Sequence, residues 1–385
     1  MANTLTGLLP VIYEAFDIVA RELTGFINHA YRNSSAEQAA VGQSVSYPIT
    51  PPATISDIVP GQLPPDDGDQ AIGIGTMTIS KSKYSPVRWN GEEQRSVKGI
   101  YSNVLVQQFA QSFRLLANTI EADVAVAAIA GASRAVGTAG TTPFGTSGDL
   151  TDFSNSRQVL DDNGAPQSDL HIVMNSASMA NLRGKQSVLF KVNEAGTDQL
   201  LRQGLVGQVM GYDIGNSAGL VQHVKGGGAS YVTSGSTAPG VSSIALVTGT
   251  GTVLAGDVVT FAADANNKYV VNTGVAAAGT IALGTPGARV TIATANAMTI
   301  GNSFMPNIAF HRMALHLVTR APAMPMGPDG SPIDAADDVV EITDDATGLS
   351  FQVAMYRLYR RIKYEVGIAW GTKAVKSDFI TLLQG

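Results

Sequence analysis

The sequence predicts an α+β fold. Three observations carry that expectation: a long unbroken helical pattern at residues 101 to 130, alternating β patterns on either side of it, and a glycine-, alanine-, threonine- and valine-rich block at residues 221 to 301 where charge nearly vanishes. At 385 residues the chain is long enough for two or three regions with cores of their own.

The elements follow in order. Residues 8 to 30 read as an amphipathic helix, with Leu9, Ile12, Phe16, Val19, Leu23 and Phe26 three and four apart. Residues 41 to 49 alternate, and the proline-rich stretch after them (Pro51-Pro52, Pro64-Pro65) is expected to be extended and exposed. Residues 71 to 90 predict a long β ribbon, with Ile72, Ile74, Thr76, Thr78 and Ser80 on one face and Gly73, Gly75, Met77 and Ile79 on the other; Trp89-Asn90-Gly91 reads as a turn. In the helical segment, Leu105, Phe109, Phe113, Leu116, Ile120, Val124 and Ala127 form the apolar stripe. Gln107, Gln111, Arg114, Asn118 and Glu121 face elsewhere, and Gly131 ends the helix.

Residues 153 to 220 look α/β: a helix from Phe153, a buried strand LHIVM at 170 to 174, a short helix that Ser176 caps, and a glycine-marked hairpin in LLRQGLVGQVMGYDIGNS. The 221 to 301 block predicts a small all-β module inserted into this region, with strands in SSIALVTG, VVTFAAD, KYVVNTG, GTIALG and ARVTIAT. Its turn signals are Gly256-Asp257, Asn266-Asn267 and Pro286-Gly287. PDGSP at 328 to 332 is a turn, and residues 349 to 370 suit long strands crossing a core.

Composition narrows the chemistry. With no cysteine, disulfides, thiolate metal sites and cysteine nucleophiles are excluded. A net charge of -6 argues against a non-specific nucleic-acid binder. Charged residues make up 15%, against about a quarter in an ordinary soluble protein. Either the surface is largely covered by further copies of the chain, or it is the Ser/Thr surface of a β-rich secreted protein. No signal peptide or membrane span is expected. His311 and His316 are five apart, which does not align two ligands on a helix face. Asp66, Asp67 and Asp69 resemble the start of a calcium loop that lacks its twelfth-position glutamate. Ser176 and Ser178 have no nucleophile-elbow context. The sequence therefore predicts no enzyme, catalytic residue, cofactor or metal.

The segment from Gly207 to Ser217, GQVMGYDIGNS, the segment from Asn307 to Arg320, NIAFHRMALHLVTR, followed by Ala-Pro, and AGDVVTF at 255 to 261 carry a resemblance through their combination and order. The chain resembles the coat protein family of phage P22 and its relatives, which share the HK97-like capsid fold. That resemblance implies an N-terminal arm and first peripheral segment (1–56), an extended loop (57–98) and a spine helix (99–136). It further implies an axial domain in two parts (137–220 and 302–348), a β-rich insertion (221–301) and C-terminal strands returning to the peripheral domain (349–385). It implies a major capsid protein of a tailed bacteriophage, located in the virion and assembled in the bacterial host cytoplasm. Implied partners are the chain itself in pentamers and hexamers of an icosahedral shell, a portal protein at one vertex and packaged double-stranded DNA held non-specifically. A decoration protein is an optional further partner, and no membrane is involved. The start at Met1, without a charged coiled-coil segment ahead of the arm, leads to the expectation of a separate scaffolding protein.

Lys81, Lys83, Arg88 and Arg95 of the extended loop are expected to meet Asp66, Asp67 and Asp69 of a neighbour, the alternative being that these are solvated loop charges. Some shells of this fold lock through a lysine-to-asparagine bond, which needs an unprotonated amine although free lysine titrates near ~10.4. Lys81 and Lys83 lie in the polar stretch KSKYS, which suggests no such pocket, so locking is expected to be non-covalent. Two other readings stand beside this one. A tail or baseplate component is disfavoured by the long helix followed by an α/β region. A carbohydrate-active enzyme would need paired carboxylates across a cleft, whereas the acids cluster in expected turns at 161–162, 337–338 and 344–345.

Overall fold

The computed structural model describes residues 23–50, 53, 55, 57–58, 60–61, 63, 71–97, 101–186, 206–325, 327–328, 333–334, 336–343 and 348–385. It opens on α1 (Gly25–His29) and β1 (Tyr31–Ala39). The rest of the helix expected over 8 to 30 lies outside the described residues. β2 (Ser44–Ile49) and β3 (Gly73–Thr78) pair antiparallel as a two-stranded hairpin, from Ser44 opposite Thr78 to Ile49 opposite Gly73. β4 (Lys81–Asn90) then leads into α2 (Gly91–Val97). Asn90 and Glu93 cap that helix reciprocally: Glu93 N donates to Asn90 Oδ1 and Asn90 N to Glu93 Oε2.

The expected 71 to 90 ribbon is thus two elements. Its alternation is real: Gly75, Met77 and Ile79 are buried while Ile74, Thr76, Thr78 and Ser80 are exposed. Beyond Ser80, however, the chain joins a larger sheet, because β4 finds a complementary edge almost three hundred residues later in sequence. Asn90 ends that strand and caps the next helix, so the expected turn is a strand-to-helix junction.

α3 (Tyr101–Ala130) matches the predicted helix. Its stripe is buried from Leu105 to Val124, and Gln107, Gln111 and Arg114 are exposed as expected. Glu121 differs, being only 1% exposed. Gly131 is required after the helix because a Cβ there would stand 2.1 Å from Ala374 Cβ.

β5 (Arg134–Gly137), α4 (Thr151–Asp162), β6 (Leu170–Met174) and α5 (Ser176–Lys185) follow. α5 is capped one residue earlier than expected, by Asn175, whose side chain accepts from Ser178 N. The short hairpin β7 (Gln208–Val209) and β8 (Tyr212–Asn216) turns through Met210 and Gly211, both at positive φ.

The β-rich segment holds β9 (Val232–Thr233), β10 (Ser243–Val247), β11 (Val258–Phe261), β12 (Asp264–Thr273), β13 (Gly279–Leu283) and β14 (Met298–Ile300). Tyr231, Ile244, Phe261, Tyr269 and Ile281 belong to a core of its own. Two sequence signals fail here. ARVTIAT forms no strand; Ile292 is buried in a loop and makes one isolated bridge to Thr237. Asn266-Asn267 lies inside β12, and Asn267 Nδ2 binds Asp264 while its Oδ1 accepts from Arg134. The turn falls instead at 262–263, between Phe261 and Asp264.

β15 (Pro306–His311) passes through a 3-10 turn, Arg312–Ala314, to β16 (Leu315–Pro322). β17 (Asp338–Thr343), β18 (Ser350–Leu358) and β19 (Arg361–Ala374) follow, then a second 3-10 turn, Ser377–Phe379, and β20 (Ile380–Gln384).

These strands make two main sheets. One has the order β1-β16-β19-β18-β17, with β4 on β19 as well. The other runs β7-β8-β6-β15-β20-β5-β12-β13-β10-β9, with β11 on β12 and β14 on β11. Among the described residues sheets and helices are mixed, with mostly antiparallel pairing, so the fold is α+β. α3 packs on the first sheet, with Phe109 against Tyr364 (centroids 5.5 Å) and Phe113 against Phe351 (5.1 Å). Ile308, Ile380 and Leu382 of the second sheet join the same core.

Candidate assembly surface

The β2–β3 hairpin is fastened at its root. Gly42 N donates to Ile79 O, Ile79 N to Gln43 O, and Ser80 N to Trp370 O. Lys373 Nζ donates to Thr76 O. Met77 and Ile79 pack with Ala39, Val318 and Ala369, and Tyr47 lies across Gly75, where a Cβ would meet its ring at 2.3 Å. Past this root the described residues lose cover: Ile55 is 97% exposed, Ile58 95% and Leu63 93%. Large aliphatic side chains left this bare in one segment are unusual for a monomer, because covering each is worth about 1.5–3 kcal/mol.

The expected contact residues separate. Asp66, Asp67 and Asp69 lie outside the described residues. Lys81 is engaged within its own subunit: Nζ is 2.7 Å from Asp123 Oδ1 on α3, and Asp123 Oδ2 accepts from Trp370 Nε1 at 2.8 Å. It ties the hairpin root to the long helix. Lys83 and Arg88 are exposed on β4, and Arg95 is exposed on α2. None of these three has an acidic partner among the described residues.

At the opposite end of the same sheet lies a basic tip that the sequence reading passed over. β18 and β19 join through Leu358, Tyr359, Arg360 and Arg361. A groove of about 620 Å³ there is lined by Trp89, Glu92, Leu358, Tyr359, Arg360 and Arg361 among others. Tyr359 is 87% exposed, with the Arg360 guanidinium 5.7 Å from its ring centre. Arg357 is held by Asp337 at 2.6 Å, and its hydrogen bond keeps that carboxyl below the usual aspartate range. Arg360 and Arg361 have no acidic partner among the described residues. The signal was available as four cations in RLYRRIK, between two apolar runs.

The two ends are far apart. β4 pairs with β19 from Trp370 opposite Lys81 to Arg361 opposite Asn90. A ladder of ten pairs spans roughly 30 Å. The hairpin continues from its Trp370 end and the basic tip closes its Arg361 end. Arg360 and Arg361 therefore lie at the end of this sheet opposite the hairpin.

Among the described residues no group of three or more His, Asp or Glu could hold a metal ion. No described helix is long and apolar enough to cross a membrane. His311 Nδ1 accepts from Met313 N, and His316 Nε2 lies 3.1 Å from Met313 O, so both serve the local turn.

No family model matches the chain, and no curated protein matches it. Solved structures do. The capsid of cyanophage P-SCSP1u is similar at 16% identity and TM-score 0.49, covering 94% of this chain and 88% of that one. The mature capsid of bacteriophage PhiM1 is similar at 12% identity and TM-score 0.47, covering 93% and 86%. A virus-like particle from Pyrococcus furiosus is similar at 10% identity and TM-score 0.43, covering 97% of both chains.

Proposed function

We propose that the chain is a major capsid protein with an HK97-like fold, which self-assembles through pentamers and hexamers into the icosahedral head of a tailed bacteriophage. The observation that carries this reading is the hairpin with its bare aliphatic extension, an arm that leaves its own subunit unfinished. Contact between unlike surfaces at opposite ends of a subunit generates rings when the rotation closes. The resemblance of GQVMGYDIGNS and NIAFHRMALHLVTR to phage coat proteins supports the same reading.

In the assembled head the extended loop lies over a neighbouring subunit, with Lys83, Arg88 and Arg95 available to that neighbour's Asp66, Asp67 and Asp69. Lys81 stays with Asp123. Packaged DNA is held by confinement, because a subunit of net charge -6 offers little bulk attraction to phosphate. A separate scaffolding protein and a portal at one vertex complete the proposed partners.

Sedimentation of the full chain tests this. The expected result is fast-sedimenting particles that form as concentration rises or scaffolding partner is added. Run on a denaturing gel, the same particles should give a single band near 40.0 kDa, as non-covalent locking requires. A compact monomer under all these conditions contradicts the function, and a ladder of multimers contradicts the mode of locking.

A further inference from the structure

Three histidines gather where the chain passes between the two main sheets. His29 ends α1, directly before β1 of the smaller sheet. His171 lies in β6 of the larger sheet. His311 ends β15, where the chain turns through Arg312–Ala314 into β16 and so changes sheet. The return crossing, from β19 to β20, brings Phe379 against the His311 ring at 6.3 Å.

His29 and His171 meet nitrogen to nitrogen. Their Nδ1 atoms are 3.0 Å apart and their ring centres 4.8 Å. His171 Nε2 is 3.0 Å from Asp169 Oδ1, so this nitrogen carries a proton and donates it. With both rings neutral, His171 Nδ1 then holds a lone pair, and His29 supplies the Nδ1–H between them. One more proton fits on His29 Nε2 without disturbing that bond. A second would sit on His171 Nδ1 and set two N–H groups against each other at 3.0 Å. The contact therefore survives one added proton and not two.

We propose that the His29–His171 pair makes the junction between the two sheets an acid-sensitive hinge, closed while the rings share a proton and opened when both are charged.

The surroundings set the direction. Asp169 and Asp213 face the pair, Asp213 Oδ2 lying 3.7 Å from His171 Nδ1, and both favour the charged rings. Burial is the larger influence and acts oppositely, and Arg312 adds like charge. Burial first, then His171, lowers the His29 pKa from 6.5 to about 4. Burial also lowers His171 and His311, and Lys376 adds like charge at His311. A histidine with a depressed folded pKa contributes stability that is complete above its unfolded value of 6.5. For His29 that stability is lost as the pH falls toward about 4. Glu121, at the other end of α1, titrates with the opposite sign. Burial raises its pKa, so its contribution to global stability runs against that of His29 as pH falls.

Hydrogen exchange of the full chain between pH 7 and pH 4, corrected for the intrinsic rate, tests the hinge. Protection should fall in peptides covering Ile27–Tyr31 and His311–Leu315, while the strands Ser243–Val247 and Gly279–Leu283 stay protected. His29→Asn keeps a side-chain N–H for His171 but cannot take a proton. It should move the loss at least ~0.5 pH unit lower. An unchanged midpoint in this variant, or loss of protection in all these strands together, overturns the proposal. If the variant does not fold, ring correlation spectra of the wild-type histidines decide: charging of both rings in step with the loss supports the hinge, and loss while both rings stay neutral overturns it.

Discussion

Glu121→Ala should destabilise the subunit by about 3 kcal/mol, read as a fall in the urea midpoint. The carboxylate is buried, yet it accepts from Phe26 N (2.7 Å), Ile27 N (3.0 Å) and Ser217 Oγ (2.6 Å). It thereby anchors the first turn of α1 and the chain after β8 to the middle of α3. Alanine leaves three donors without that acceptor, each costing about 1–3 kcal/mol if it stays dry. Relief of a buried charge offsets part of the sum. Glu121→Gln should fall in between, since its amide keeps one acceptor oxygen but turns an N–H₂ toward a donor. A midpoint unchanged in both variants would show that water replaces the carboxylate at no cost.

The larger effect on assembly is expected from the arm. Replacing Ile55, Ile58 and Leu63 together with serine should leave the stability of the isolated subunit, read from urea unfolding, within about 0.5 kcal/mol of wild type, because all three side chains are solvated there. Assembly should suffer severely. If each side chain is buried by a neighbour, it contributes about 1.5–3 kcal/mol. Loss of the three then weakens each contact by at least ~100-fold, even after the ordering cost of the arm is deducted. Light scattering of the variant under conditions where wild type assembles measures this. Normal assembly kinetics would mean that the arm stays exposed in the particle.

The long helix was legible because nothing interrupts its stripe, and α3 spans Tyr101–Ala130 as read. The alternation over 73 to 79 and the buried strand 170 to 174 were legible for the same reason: burial there follows the local period. What escaped the sequence depends on distant partners. Glu121 sits on a polar face by spacing, but α1 covers it and turns it into an anchor. Lys81 looked like a surface contact until α3 brought Asp123 within 2.7 Å. β4 reads as part of a projecting ribbon until β19 supplies its edge. Asn266-Asn267 is a strong turn signal by composition, overridden where Asn267 binds Asp264 and Arg134 within the strand. In the candidate surface, the exposure of Ile55, Ile58 and Leu63 agrees with the exposed stretch expected from the proline-rich sequence. The basic tip was visible only as charge inside what reads as one long strand region.

Assembly into a closed shell is what the proposed function requires of this chain. Negative-stain electron microscopy of particles formed by the purified chain, alone and with the proposed scaffolding protein, is the decisive measurement. Closed, roughly spherical shells of uniform size are expected. Rods, open tubes or isolated rings would contradict it and favour a tail or baseplate component.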